Sequence, residues 1–306
     1  MSDKFAKVFF TKSLNSFNVS KVLDKVFDTL DFTFTDDIIG IKIHTGEKGN
    51  RNFIKAKYLS ECLKFIDSDI EKCIIECNTA YEGARNDSDK HIQLLKEHEW
   101  SKYFSYNILD MNGDICLNIP NGNIIKKNYV GKDIKDFKQC IVISHFKAHP
   151  MGGFGGALKQ LSIGFASSRG KQYIHGYGNF ELGKKNIHTV NTPNQVAFIK
   201  SMADAASSVV NYFKKNTIFV NFLMNISESC DCDSHAPLPC MKDIGVLISR
   251  DPVAIDQACI DLITESDDKG KGKILKQIYD KDGMVILKAA EDLGIGYRSY
   301  NFEEVN

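Results

Sequence analysis

The sequence predicts an α/β fold made of two α/β domains with largely parallel sheets, about 1–195 and 216–306, joined by a connector helix. Three observations predict it. Apolar runs of period two alternate along the chain with runs of period 3.6, the pattern of helices laid over a largely parallel sheet. The 306 residues, 43% hydrophobic and 25% charged, suffice for one large or two medium domains with a well-buried core. No repeat or low-complexity linker interrupts the alternation.

Val22, Leu23, Val26, Phe27 and Leu30 share one helical face behind a capping Ser20, and Ile39, Ile41 and Ile43 then alternate along a strand ending at His44. Tyr58, Leu59, Cys62, Leu63 and Ile66 form the next helical stripe, before the short apolar strand Cys73 to Cys77. A polar loop, NTAYEGARNDSDKH, leads into a helix carrying Ile92, Leu95 and His98, and the turn-rich MNGDICLNIPNGN precedes the strand CIVIS at 140–144. Thr192 and Pro193 suit the cap and first turn of the connector helix, which buries Phe198, Ile199, Met202, Ala206, Val209 and Phe213. The remainder reads as the strand TIFVNFLMNIS, a cysteine loop, the strand DIGVLIS, and a helix opened by Asp251 and Pro252. DDKGKGK, 267–273, reads as a surface loop.

Lys+Arg and Asp+Glu are both 39, so the surplus of cations needed to neutralise nucleic-acid phosphates is missing. The start, MSDKFAKVFF, lacks the apolar core of a signal peptide, and no run reaches the ~18 apolar residues of a membrane span. A cytoplasmic protein is expected. The nine cysteines form an odd set, several inside apolar runs, which predicts reduced thiols rather than disulfides.

The most unusual composition is HFKAHPMGGFGGALKQLSIGFASSRGKQYIH, which follows the strand at 140–144. Gly152, Gly153, Gly155 and Gly156 lack the Cβ atoms that keep a ligand from backbone amides, and a helix follows, so an anion site is one reading and a turn for close packing the other. The spacing fits neither the P-loop nor the dinucleotide fingerprint. Lys159, early in that helix, opposes its dipole unless it faces an anion or serves as a nucleophile. His145 and His149 read as metal ligands, acid-base groups or merely hydrogen-bonded residues, in a loop at the carboxyl end of a strand, where open α/β sheets place ligands. Cys230, Cys232, His235 and Cys240 lie within eleven residues after an apolar strand. Such a loop binds zinc or an iron–sulfur cluster, or is a loop of free thiols. Arg85 could clamp a carboxylate, and Asn78, Tyr81 and His91 lie in the same polar stretch.

Five stretches together resemble a known family: IKIHTGEKGN, NTAYEGAR with His91, SHFKAHPMGGFGGALKQLSIGFASSRGK with His175, CDC, and DIGVLISRDPVAIDQAC. They resemble the prokaryotic family called domain of unknown function 362, in order and over nearly the whole chain. Many members carry two ferredoxin-type 4Fe-4S motifs after the position of His175, whereas residues 176–229 here contain no cysteine. A more distant similarity is to the N-terminal domain of lactate racemase, which uses a nickel-pincer nucleotide. There a histidine, a lysine ten positions on and a histidine sixteen beyond keep the intervals of His149, Lys159 and His175. The similarity implies an acid-base role for His149, covalent attachment of the nucleotide to Lys159 and nickel ligation by His175, with His44 or His91 as the second acid-base group.

The expectation is a cytoplasmic metal-dependent enzyme acting on a small anionic, hydroxy-acid-like substrate in a cleft between the domains. His149, His145, His91 and Arg85 form its catalytic set, the glycine turn, Lys159 and His175 bind a cofactor or the anion, and Cys230, Cys232, His235 and Cys240 hold a metal or cluster. The rival reading is an iron–sulfur or metal-carrying redox protein that serves a redox partner protein without turnover of its own, and a third is a small-molecule binding protein.

Overall fold

A computed structural model describes residues 5–187, 189 and 192–306. The chain runs β1 (Ala6–Thr11), α1 (Ser16–Thr29), β2 (Ile38–Lys42), α2 (Ala56–Cys62), β3 (Glu71–Glu76), α3 (Ser88–Glu97), β4 (Ser105–Ile108), β5 (Asp114–Asn118) and β6 (Lys127–Gly131). It continues through β7 (Cys140–His145), β8 (Lys147–His149), β9 (Gly153–Gly155) and α4 (Ala157–Lys159), which passes into a π-helical turn over Gln160–Gly164. Then come α5 (Ser168–His175), α6 (Phe180–Asn186), α7 (Gln195–Phe213), β10 (Thr217–Leu223), β11 (Gly245–Ser249), α8 (Pro252–Glu265), α9 (Lys271–Asp280), α10 (Met284–Asp292) and β12 (Tyr300–Glu304).

Eight strands form one sheet in the order β12-β1-β11-β10-β7-β2-β3-β4. Only β11 runs against its neighbours, β1 and β10. The α/β class with a largely parallel sheet is therefore what the chain adopts. The segments expected to build a sheet each share this one: β10 pairs with β7, and β1 lies between β11 and β12. The apolar pattern of a strand marks it as a strand but does not say which strand it pairs with.

The sheet is covered on both faces. Ile141 and Ile143 of β7 and Ile39 and Ile41 of β2 join Leu23, Val26 and Leu59 of α1 and α2 on one side. Val142, Ile75 and Phe219 join Phe198, Met202 and Val209 of α7 and Ala254 and Ala258 of α8 on the other. Burial on both faces explains why these strands read as nearly continuous apolar runs.

Caps differ from the sequence expectation at two helices. Asn15, not Ser20, caps α1 by accepting from Asn18 N at 3.2 Å, and Asn194, not Thr192, caps α7 by accepting from Ala197 N at 3.0 Å. In both cases another cap-competent side chain lies a few residues away, and residue type alone does not choose between them. Asp251 caps α8 as expected, accepting from Val253 N at 2.9 Å and Ala254 N at 2.8 Å. The expected loop at 267–273 gives way to α9 at Lys271.

Candidate functional site

Because β2, β3, β7 and β10 are parallel, the segments after them meet at one edge of the sheet. His44 follows β2, Glu76 ends β3, His145 ends β7, and the loop after β10 carries Cys230 to Asp233. With Lys159, His149 and His175 they line a cavity of about 320 Å³, at the small end of the range for ligand pockets.

Asp231 anchors the cysteine loop. Its carboxylate accepts from Lys147 Nζ at 2.7 Å and faces His145 Nδ1 at 2.9 Å. Burial would raise this carboxyl, but its contacts with His145 and Lys147 hold it far below the usual carboxylate range. His145 Nε2 also faces an acceptor, the carbonyl of Met224, at 2.5 Å. Both nitrogens of His145 are thus occupied, which fits an anchor rather than an acid-base group.

Among the described residues three other histidines face the cavity, and the hydrogen-bond network assigns their protons. His149 Nδ1 accepts from Met151 N at 3.2 Å and Gly152 N at 2.9 Å. His44 Nδ1 accepts from Gly46 N at 3.1 Å. Their neutral rings therefore carry the proton on Nε2. His175 is reversed: Nδ1 donates to Lys171 O at 2.7 Å, leaving Nε2 as a bare lone pair. Burial pushes all three down, His175 to about 4 and the others well below the usual histidine value. His175 is therefore the ring able to take a proton, and His149, expected in that role, presents a donor.

Arg85 does not meet a ligand with its fork. Nε donates to Glu47 at 3.1 Å, Nη2 to the Tyr81 hydroxyl at 3.0 Å, and Nη1 pairs with Glu76 at 3.6 Å. The expected clamp closes on the chain's own carboxylates. His91 is fully buried off the cavity wall, between Asn78 Oδ1 at 3.3 Å and Glu76 Oε2 at 3.2 Å, so it orients Glu76 rather than reaching a substrate.

Lys159 has no hydrogen-bond or ion-pair partner among the described residues. Burial first, then the nearby Arg85, lowers its amine to about 8. Lys42 and Lys171 also line the cavity and donate to the carbonyls of Ile43 and Ala166, at 3.2 and 2.5 Å, with no carboxylate pair among the described residues. The Ser144 hydroxyl, on the same wall, is buried without a partner among the described residues. Sequence reasoning missed Lys42, Glu76, Ser144 and Lys171. A signal existed for two of them, since Lys42 and Glu76 are charges inside apolar strands, where charges seldom go unless they are paired.

The glycine turn works differently from the anion cradle. The amides of Ala157 and Leu158, which would have met a ligand, donate to Asp256 at 2.8 and 2.9 Å. A Cβ on Gly156 would stand 2.3 Å from Asp256 Oδ1, and Gly153, at φ +80°, lets the hairpin approach Gly283. Gly152 supplies its amide to His149, and Gly155 lies on the cavity wall. Packing and the orientation of His149 thus account for most of the turn.

The expected metal set is divided. Exposed His235 bonds Ser234 Oγ at 2.8 Å, and Cys240 is tied to Ile226 O at 2.8 Å beside Gly270, both away from the cavity. Cys230 and Cys232 are joined as a disulfide, contrary to the expectation of reduced thiols throughout. Their sulfurs and His149 offer three ligand atoms within 4.8 Å of one another. As they stand they do not fit a metal: the sulfurs are bonded to each other, and His149 presents an N–H. The other seven cysteines are free.

The profile of the family described as "Domain of unknown function (DUF362)" matches residues 39–261. The chain belongs to this family. Two solved structures resemble this DUF362 chain. A protein from Thermotoga maritima is 11% identical over 87% of this chain and 59% of its own, with a TM-score of 0.48. The lactate racemase apoprotein from Thermoanaerobacterium thermosaccharolyticum is 14% identical over 73% of this chain and 52% of its own, with a TM-score of 0.43. The DUF362 chain thus matches little more than half the length of either, and both similarities are distant. No curated protein matches the sequence. Among the described residues no helix is long and apolar enough to cross a membrane.

Proposed function

We propose that the cavity binds a small anion bearing a carboxylate, of the hydroxy-acid type, and moves a proton on it. The observation that carries this reading is Lys159, a cation on the cavity wall with no ion-pair partner among the described residues. A desolvated ammonium without a partner is costly, and an anionic ligand offsets that cost. His175 Nε2 takes the proton. The Nε2–H groups of His44 and His149 donate to the oxygen on which charge develops, a role for preorganised donors in a site shielded from water. The unpartnered Ser144 hydroxyl is a further contact for the ligand. Seven free cysteines suit the reducing cytoplasm expected for this chain.

Metal dependence has mixed support. His175 offers a bare nitrogen, whereas the His149–Cys230–Cys232 group offers an N–H and a disulfide, so no step is routed through a metal or a pincer nucleotide. The same Lys159 amine is where the racemase similarity implies a nucleotide would attach, and intact mass spectrometry of anaerobically purified protein reports such an adduct. The rival reading, an iron–sulfur protein serving a redox partner, calls for about four thiolates. The cavity holds Cys77 and the bonded pair.

The test is exchange with deuterated solvent. Lactate and malate are incubated with the protein in D₂O, and deuterium at the carbon next to the carboxylate is followed by NMR. Exchange by the wild type that falls at least a hundredfold in His175→Gln is expected. Exchange of equal rate in the variant removes His175 as the base, and none with any 2-hydroxy acid tried overturns the reading.

A further inference from the structure

We propose that Cys230 and Cys232 form a redox-active disulfide that exchanges with small anionic thiols in the cavity, a second activity that shares Lys159 and His149 with the proton transfer proposed above. A bridge between residues two apart closes almost no loop, so it removes little entropy from the unfolded chain and contributes little as a staple. As shown above, the donors around the two sulfurs do not suit a metal. What they suit is thiol–disulfide exchange.

The loop presents the sulfurs from a fixed base. Asn50 Nδ2 donates to the carbonyls of Cys230 and Asp233 at 3.3 and 2.8 Å, and Glu47 N donates to Asp231 O at 2.8 Å. Together with His145 and Lys147 on the Asp231 carboxylate, these contacts hold Cys230, Asp231 and Asp233 on either side of Cys232. Cys230 is only 5% exposed, whereas Cys232 is half-buried, so an incoming sulfur meets Cys232 first.

Each departing sulfur has a donor waiting. A thiolate RS⁻ attacks Cys232 Sγ, the S–S bond breaks, and its electron pair goes to Cys230 Sγ, which already receives the Cys232 backbone N–H at 3.3 Å. A second RS⁻ attacks the bound thiol's sulfur and releases RSSR. Cys232 Sγ departs as a thiolate 3.8 Å from His149 Nε2–H. Two thiols are oxidised to one disulfide, the pair gains two electrons, and solvent supplies the protons. The reverse sequence, with a small disulfide as oxidant, restores the bridge. Lys159, Lys42 and Lys171 on the same wall favour an anionic thiol over a neutral or cationic one.

The test uses the full chain, free of oxygen, with 3-mercaptopropionate, 2-mercaptoethanol and cysteamine as probes. Reduction of the pair is read by alkylation and peptide mass spectrometry, with rates corrected for each thiol's thiolate fraction. The anionic thiol should react at least tenfold faster than the cationic one, and Lys159→Met, which leaves Lys42 and Lys171 in place, should reduce that preference severalfold. Cys230→Ser treated with 3,3′-dithiodipropionate should hold a stable mixed disulfide at Cys232. Equal rates for the three thiols, a pair that resists all of them, or stoichiometric metal bound to the two sulfurs would each overturn the proposal. The wild-type comparison decides the matter even if the serine variant does not fold.

Discussion

Lys159 is a buried amine whose charge bears on stability as well as on the anion binding proposed above. Its folded value near 8 lies below the ordinary lysine value of 10.5, so between those values the unfolded chain binds more protons. Stability therefore rises with pH across that window and is lost as pH falls through about 8. Lys159→Met keeps most of the stem and removes the charge. At pH 7 the ligand-free variant should melt a few degrees above the wild type, the scale on which about 1 kcal/mol moves a domain, and the gain should shrink above pH 9 in a melting series. An unchanged melting temperature at pH 7 would mean that the amine is not buried at a cost. At this scale the sequence was informative about identity and silent about orientation. Lys159, His149 and His175 stand out from their neighbours, but the amides of Met151 and Gly152 that fix the His149 tautomer depend on how a hairpin closes.

The contact between α4 and α8 shows what the glycine turn secures. Asp256 receives two α4 amides and Asn221 Nδ2, the last at 2.7 Å, and burial still raises its carboxyl to about 7. A folded value above the unfolded one means that its contribution is full below about 4 and is lost as pH rises through about 7. The wild type should therefore lose stability relative to Asp256→Asn between pH 5 and 8, a difference measurable by urea titration at each pH; a constant difference would contradict it. Gly156→Ala places a methyl against the same carboxylate and should cost about 1–3 kcal/mol, as overpacking does, whereas an unchanged urea midpoint would show that α8 can give way. The helices and strands were largely legible from periodicity, including α7 with its buried Phe198, Met202 and Val209. The occupant of the α4 amides was not, because Asp256 comes a hundred residues later and only the tertiary fold brings it there.

Across the whole molecule, β10 and β11 occupy the middle of the sheet, so neither half of the chain owns a complete core. Fragments 1–195 and 216–306 produced separately would each expose a long unpaired strand edge. Each should be insoluble or unfolded, and the intact chain should unfold in urea as one transition by fluorescence and by circular dichroism. Two separated transitions, or a soluble folded fragment, would instead support the two domains expected at 1–195 and 216–306. That expectation arose because a connector helix and a second strand–helix series look the same whether the strands join the first sheet or found a new one.

The central claim is that an anion completes the charge of this cavity through Lys159. Isothermal calorimetry of wild type and Lys159→Met with lactate, malate and inorganic phosphate tests it most directly, with melting curves alongside, because a ligand at a hundred times its dissociation constant adds about 2.7 kcal/mol. Binding of at least one carboxylate by the wild type, weakened tenfold or more in a folded Lys159→Met variant, is the predicted result. Equal affinity in the two proteins would contradict it.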